Sequence, residues 1–241
     1  ATAGDLLFTG GFDRYFRAIN QTDGEVLWET RLPSQVSAHA VTYAIDGKWG
    51  IGRNDTISGF VARTATPGET DGREYAFNIR SRILRPKYDI DAGYQEVGDA
   101  FNPEVGFLSR KGYRKPDVRL MTRFRPKEFW NLQEVRPHAT FRGFWGYDNF
   151  QETGYVHLDN HWQFKNSWEV HTGANLTREG VRTPFQIYPG IFVPPGTYDN
   201  AEAQLVLMTN QGAPLSLNLQ TFFGGFFSGD RATINPTLRL R

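Results

Sequence analysis

The sequence contains no cysteine and shows no excess of charge of one sign. The absence of cysteine excludes disulfide scaffolds, thiolate metal sites and cysteine nucleophiles. The chain has 27 lysines and arginines against 26 aspartates and glutamates, which gives a net charge of +1. A balance of this kind provides no electrostatic reason to expect nucleic acid as a partner.

Long apolar runs and recognisable catalytic motifs are also missing. No run reaches the roughly 18 apolar residues of a transmembrane helix, and no helical apolar period extends beyond about two turns. The sequence contains no G-x-S-x-G elbow, H-E-x-x-H helix or Walker loop, so no catalytic residue is assigned. It begins Ala1-Thr2-Ala3-Gly4, without an initiator Met or a signal peptide, which indicates a mature form or a fragment.

What the sequence does contain is alternation of apolar and polar residues with period 2. Leu215, Leu217, Leu219 and Phe223, for example, share one face of a strand. The aromatic content of 15% and the 25 glycines also favour β structure. This alternation predicts about ten strands of about ten residues each, the length that spans a tilted bilayer. The predicted strands are residues 51–63, 73–84, 87–97, 117–125, 133–146, 153–165, 168–178, 200–210, 214–227 and 231–240.

Two features favour an outer-membrane barrel over a soluble β-sandwich. Aromatic residues stand near the strand ends, where a membrane barrel places them at its two interfaces. The predicted connections also alternate between short and long, as on the two sides of such barrels. Residues 98–116 are therefore predicted to form an extracellular loop with an inward-packed apolar part. That apolar part comprises Phe101, Val105, Phe107 and Leu108.

Three segments, "IDAGYQ" at 90–95, "DAFNPEVGFLSRKGYRK" at 99–115 and "EVRPHATFRGFW" at 134–145, carry a family resemblance. Residues 49–241 resemble the C-terminal barrel of a bacterial outer-membrane family of uncharacterised function. Its members usually carry an N-terminal carbohydrate-binding domain similar to family 9 modules. The resemblance implies an outer-membrane location and a barrel fold, and it implies no activity.

A second resemblance rests on "AINQTDGEVLW", residues 18–28. Residues 4–48 resemble one propeller blade of the quinoprotein dehydrogenases, which use pyrroloquinoline quinone (PQQ) and whose blade repeat is close to A-x-D-x-x-T-G-x-x-x-W. Gly24 and Trp28 match that repeat, whereas Asn20 and Asp23 replace its Asp and Thr. The resemblance implies a turn at Asp23-Gly24 and a tryptophan that docks between blades. PQQ and calcium enter only through this resemblance. A propeller needs at least about four blades, so no cofactor is expected to bind.

The sequence thus predicts a quinoprotein-blade-like β segment at 1–48 and an outer-membrane-type β-barrel region at 49–241. The fold class is all-β, an antiparallel meander of about ten strands forming such a barrel or part of one. The predicted function is a non-enzymatic outer-membrane barrel, a pore or envelope scaffold, arising as a fragment or fusion. The expected partners are a lipid bilayer or detergent and carbohydrate, with the N-terminal segment in the periplasm.

Two alternative functions stay open at this stage. One is an enzyme, either a PQQ-type oxidoreductase fragment or a carbohydrate-active hydrolase. The other is a soluble β-sandwich that binds sugars, since each sheet of a sandwich also has one face exposed to water and one buried face.

Histidines and a carboxylate alternate on the polar face of two neighbouring predicted strands. A tight turn centred on Asn166 would pair His161 with His171 and keep polar residues opposite polar residues. The candidate metal ligands are His157, Asp159, His161 and His171. Imidazole and carboxylate are suitable ligands for a transition metal, and the alternative is that these residues line a hydrated interior.

Five arginines fall on the polar faces of adjacent predicted strands: Arg119, Arg123, Arg125, Arg136 and Arg142. They would suit an anion-selective pore lining or a site for an acidic sugar, because guanidinium groups bind anions through two parallel hydrogen bonds. The alternative is charge balance against Asp89, Asp91 and Glu169.

Overall fold

The structure is a computed structural model that describes residues 2–3, 5–10, 14–31, 41–65, 72–103 and 108–241. Within these residues the protein consists of β-strands and turns, the strand pairs with a defined residue register are antiparallel, and there is no helix. The all-β antiparallel prediction is therefore confirmed. No helix in this described part is long and apolar enough to cross a membrane.

The first sheet is a meander of four short strands near the N-terminus. These strands are β1 (Thr2–Ala3), β2 (Leu6–Gly10), β3 (Tyr15–Asn20) and β4 (Val26–Arg31). They lie in the order β1-β2-β3-β4, so each strand pairs with its neighbours in sequence. Ala18 in β3 is buried at the middle of this sheet.

Eleven longer strands form the second sheet, and one short hairpin stands apart from it. The strands in chain order are β5 (Val41–Ile51), β6 (Asp55–Ala65), β7 (Tyr75–Leu84), β8 (Tyr88–Val97), β9 (Tyr113–Thr122), β10 (Leu132–Trp145), β11 (Gln151–Phe164), β12 (Glu169–Val181), β13 (Phe185–Tyr188), β14 (Ile191–Val193), β15 (Gly196–Met208), β16 (Leu215–Phe226) and β17 (Gly229–Leu240). β13 pairs with β14 alone. The large sheet has the order β17-β16-β15-β12-β11-β10-β9-β8-β7-β6-β5.

The large sheet is not closed within the described residues. Its order begins at β17 and ends at β5, so these two strands are its edges. The antiparallel meander is thus present, whereas the predicted closure into a barrel is not confirmed. Each predicted strand overlaps an observed one, and β5, β13 and β14 were not predicted.

Contacts divide the chain into two compact units. The first comprises Ala1–Asp46, Phe60–Phe77 and Val97–Gly112, and the second comprises Gly47–Gly59, Asn78–Glu96 and Tyr113–Arg241. The predicted domain boundary between residues 48 and 49 stays a prediction.

The predicted loop at 98–116 is shorter in the structure, because β9 already begins at Tyr113. Phe101 is buried as predicted, and Leu108 is half-buried. Val105 and Phe107 lie outside the described residues. The extracellular position of the loop stays a prediction.

The second unit shows an inverted burial pattern on its central strands. Leu158, Leu176 and Leu205 are each 48% exposed on one face of β11, β12 and β15. Several of the residues that alternate with them on the other face are polar and buried. They include Asp159, Asn175 and Glu202. A soluble protein generally buries its leucines and exposes its carboxylates, so these strands show the opposite arrangement.

Candidate functional site

The turn between β3 and β4 shows why the blade-like motif has its particular residues. Gly24 has φ of +76°, a left-handed conformation that a residue with a side chain adopts at a cost. The Asn20 Oδ1 atom accepts the Thr22 N–H at 2.9 Å, and Asp23 Oδ1 accepts the Glu25 N–H at 3.0 Å. An aspartate at position 20, as in the family motif, is able to accept the same hydrogen bond from the N–H two residues later. Both side chains carry an oxygen in that position.

The outer strand of the same small sheet leaves large apolar side chains uncovered. Val26, Leu27 and Trp28 on β4 are about half exposed. Trp28 makes an edge contact with Phe16, with ring centroids 6.4 Å apart. The remaining surface of these residues has the character of a face that a further sheet would cover.

A cluster of histidines and carboxylates lies on the buried polar face of β10, β11 and β12, and strand register brings it together. His138 on β10 is directly opposite Asp159 on β11. On the opposite edge of β11, His161 pairs with His171 on β12, as the sequence predicted. Gly173 stands opposite Asp159, and a β-carbon there would lie 3.0 Å from Asp159 Oδ1. Glycine therefore leaves space for the carboxylate.

Short contacts connect the members of the cluster. His161 Nε2 is 3.1 Å from Asp159 Oδ2, and His157 Nε2 is 3.7 Å from the same oxygen. The rings of His161 and His171 are stacked with centroids 3.5 Å apart. The ring of His138 lies 5.0 Å from that of His161 and 5.1 Å from that of His157. His138, His157 and His161 thus lie around the Asp159 carboxylate, whereas His171 contacts Glu169.

Two groups within the cluster have the ligand types of a metal site. The first consists of His138, Asp159 and His161, and the second of His161, Glu169 and His171. In each group the ligand atoms lie within 4.8 Å of one another. Both groups share His161, so this imidazole would bind an ion in one group or in the other, but not in both.

All four predicted metal ligands lie in or beside these two groups, because His157 contacts Asp159. The sequence did not identify His138 as a candidate ligand. The sequence does show a histidine on a third neighbouring strand. The register between β10 and β11 was needed to place His138 opposite Asp159.

Most of the five predicted arginines are held by carboxylates instead of standing as a separate cluster. Arg119 Nη2 is 3.3 Å from Asp89 Oδ2, and Arg125 Nη2 is 2.7 Å from Glu134 Oε2. Arg136 Nη2 is 2.7 Å from Glu169 Oε1. Arg123 lies near enough to Asp89 to interact with it electrostatically, and Arg142 interacts in the same way with Tyr155. These ion pairs agree with charge balance on the polar face.

An exposed ion pair joins Asp148, in the turn after β10, to Arg182, directly after β12. Arg182 Nη1 donates to Asp148 Oδ2 at 2.7 Å, and Arg182 Nη2 donates to Oδ1 at 2.9 Å. These hydrogen bonds, followed by the one from the Phe150 N–H, lower the pKa of Asp148 from 3.8 to about 2.

Because the folded pKa lies below the unfolded one, this pair stabilises the turn above pH 3.8 and is lost as the pH falls through about 2. We expect the NMR titration of the Asp148 carboxyl carbon to have its midpoint near 2. Arg182→Gln should move the midpoint towards 3.8, and an unchanged midpoint in that variant would contradict the assignment to Arg182.

The comparisons with known proteins concern the N-terminal fifth of the chain. The family model "PQQ: Glucose/ethanol/alcohol dehydrogenase, beta-propeller domain" matches residues 1–50. Quinoprotein glucose dehydrogenase of Gluconobacter oxydans (strain 621H) is 53% identical over 49 residues, 20% of this chain and 6% of that protein. Quinoprotein glucose dehydrogenase A of Acinetobacter calcoaceticus is 49% identical over 49 residues, 20% of this chain and 6% of that protein. Quinoprotein ethanol dehydrogenase of Pseudomonas putida is 42% identical over 52 residues, 22% and 8% of the two chains.

The chain therefore spans 6 to 8% of the length of these relatives. No solved structure matches. The predicted likeness to a quinoprotein blade is confirmed. The predicted function, a non-enzymatic barrel, is wrong, because the matching family consists of dehydrogenases and supports the oxidoreductase alternative. The outer-membrane family resemblance of residues 49–241 stays a prediction.

Proposed function

We propose that residues 1–50 act as one blade of a quinoprotein-dehydrogenase propeller and that the chain works as part of a PQQ-dependent oxidoreductase. The observation that supports this most strongly is the family match over residues 1–50. The four-stranded meander β1–β4 agrees with it, because a four-stranded antiparallel sheet is the repeating unit of a propeller. The exposed apolar residues of β4 would then be covered by the neighbouring blade.

The described residues of the blade do not fit a quinone or calcium site of their own. Calcium requires several converging oxygen ligands. Asp23 uses both carboxylate oxygens within the turn, accepting from the Glu25 N–H and from Asn20 Nδ2. Glu29 pairs with Arg17 at 3.1 Å. We therefore assign no cofactor ligand to this segment, and the proposal requires other blades to hold the quinone and its metal.

A replacement experiment tests the proposal. The 49 matched residues of the Gluconobacter glucose dehydrogenase would be exchanged for the corresponding residues of this chain. After reconstitution with PQQ and calcium, we expect glucose-dependent reduction of a dye to be kept. A hybrid that folds, as judged by circular dichroism, but reduces no dye would contradict the proposal.

The blade's tryptophan provides the matched variant. Trp28→Ala in the hybrid removes a large side chain that we expect to be buried between blades, at a cost of about 3–5 kcal/mol. It should lower the thermal midpoint of the hybrid while having a small effect in the isolated chain, where Trp28 is half exposed. Equal effects in both contexts would show that no neighbouring blade covers Trp28.

The apolar face of the second unit supports a further part of the proposal, namely that a lipid bilayer covers it in the outer membrane. Leucines exposed on three consecutive strands next to buried carboxylates form the pattern of a sheet with lipid outside and water inside. Hydrocarbon does not tolerate unpaired backbone groups, so β5 and β17 would have to pair with each other or with another chain. Co-flotation of the purified chain with phosphatidylcholine vesicles tests the partner.

A further inference from the structure

We propose that His138, Asp159 and His161 bind a divalent transition-metal ion of the zinc class, with His157 beside them. This site lies on the polar face of β10 and β11, and it is independent of the quinone and calcium of the proposed function. It differs from the set predicted from the sequence, because His138 enters and His171 does not.

The geometry already approaches that of a coordination site. Zinc lies about 2.0–2.2 Å from histidine nitrogen and carboxylate oxygen, so neighbouring ligand atoms of a tetrahedral site are separated by about 3.4 Å. His161 Nε2 and Asp159 Oδ2 are 3.1 Å apart. All three ligand atoms lie within 4.8 Å of one another, a spread that side-chain rotation is able to close.

The charge of Asp159 favours a cation at this position. Its side chain is 1% exposed, and among the described residues its ion-pair contacts are with histidines, His157 and His161. A buried carboxylate needs a compensating positive charge. Glu169, the carboxylate of the second group, already has Arg136 at 2.7 Å. Among the described residues, Asp159 is therefore the one of the two carboxylates without an arginine in its ion pairs, and a metal ion would supply a compensating charge.

The hydrogen-bond partners of two histidine Nδ1 atoms also favour a cation beside Asp159. His157 Nδ1 is 2.6 Å from Asn175 Oδ1, and His161 Nδ1 is 3.0 Å from Glu169 Oε1. When each Nδ1–H donates to its oxygen, each Nε2 carries a lone pair directed towards Asp159 Oδ2. A lone pair facing a carboxylate is repelled by it unless a proton or a metal ion lies between them. Histidine ligands of metals are commonly oriented by just such an oxygen acceptor on the second nitrogen.

The ligand chemistry selects the class of ion. Imidazole with carboxylate suits zinc, copper, iron or nickel, whereas calcium and magnesium prefer oxygen ligands alone. The test accordingly uses Zn²⁺ for affinity and Co²⁺ for geometry, because Co²⁺ reports tetrahedral coordination through its visible absorption.

The experiment uses the full chain without a polyhistidine tag, stripped with a chelator and titrated with Zn²⁺ by calorimetry. We expect one equivalent to bind and Co²⁺ to develop intense visible bands. His138→Gln and His161→Gln should each weaken Zn²⁺ binding by more than about 100-fold. Circular dichroism establishes that each variant is folded.

His171→Gln is the matched control, because it removes an imidazole of the same cluster that belongs to the second group only. We expect it to weaken Zn²⁺ binding far less than His138→Gln does, because its ring only stacks on the ring of His161. Loss of binding in this variant but not in His138→Gln would overturn the proposal in favour of the second group. Binding that is equal in the original chain and in a variant with all three ligands replaced would show an adventitious ion only, which also overturns it. If His161→Gln fails to fold, His138→Gln still decides the outcome, because His138 is half-buried.

Discussion

Replacing Leu176 with arginine is expected to prevent the chain from floating with phosphatidylcholine vesicles. Leu176 lies near the middle of β12 and is 48% exposed on the apolar face. An arginine on the lipid face of a membrane sheet costs about 2–4 kcal/mol at the bilayer midplane, and less near the interfaces. Such a cost is a large fraction of the free energy of unfolding of a typical domain.

Two controls separate a lipid contact from a general loss of folding. Leu176→Met keeps the volume and the apolar character, so it should float as the original chain does. Gln186→Arg adds the same charge on the exposed strand β13, away from the large sheet, and should also float. Flotation of Leu176→Arg at the original level would show that lipid does not cover this face.

The strands of the large sheet were predictable because alternation with period 2 is a local property of the sequence. β16 illustrates this, since Leu215, Leu217, Leu219 and Phe223 face residues of β17 in one unbroken register. The hairpin β13–β14 was missed because its strands have 4 and 3 residues, too few to show a period. The closure of the sheet was not predictable, because it depends on contacts between strands that are distant in sequence.

The candidate metal site shows the same distinction between local and long-range information. The pairing of His161 with His171 was predictable because a tight turn around Asn166 connects their strands. The pairing of His138 with Asp159 was not, because β10 and β11 are joined by a longer turn and the β10 ladder contains register shifts at Leu132/Glu134 and Phe144/Trp145. A shift of one residue moves every side chain to the other face.

The functional prediction failed for a different reason. The prediction was based on residues 49–241, whereas the comparisons identify a similarity to dehydrogenases in residues 1–50. The blade motif was visible in the sequence, and Gly24 and Asn20 form the turn that the motif requires. The resemblance of this motif to a quinoprotein blade identified the blade correctly, but a single blade did not indicate the activity of a whole propeller.

Replacing Arg82 and Arg119 together with methionine is expected to destabilise the second unit by about 3–5 kcal/mol, the usual cost of leaving a buried charge without its partner. The carboxylate concerned is that of Asp89, whose side chain is 1% exposed. Arg82 Nη2 lies 2.9 Å and Arg119 Nη2 lies 3.3 Å from Asp89 Oδ2. Arg123 remains near enough to interact, so we expect the lower end of this range.

The matched control is Arg178→Met, which breaks an ion pair with Asp199 whose side chains are 46% and 63% exposed. Exposed pairs contribute little, so the urea midpoint in detergent micelles should not change. Adding Asp89→Asn to the double variant removes the uncompensated charge and should recover part of the lost stability. If this triple variant unfolds at the same urea concentration as the double variant, loss of arginine packing, and not the buried charge, accounts for the effect.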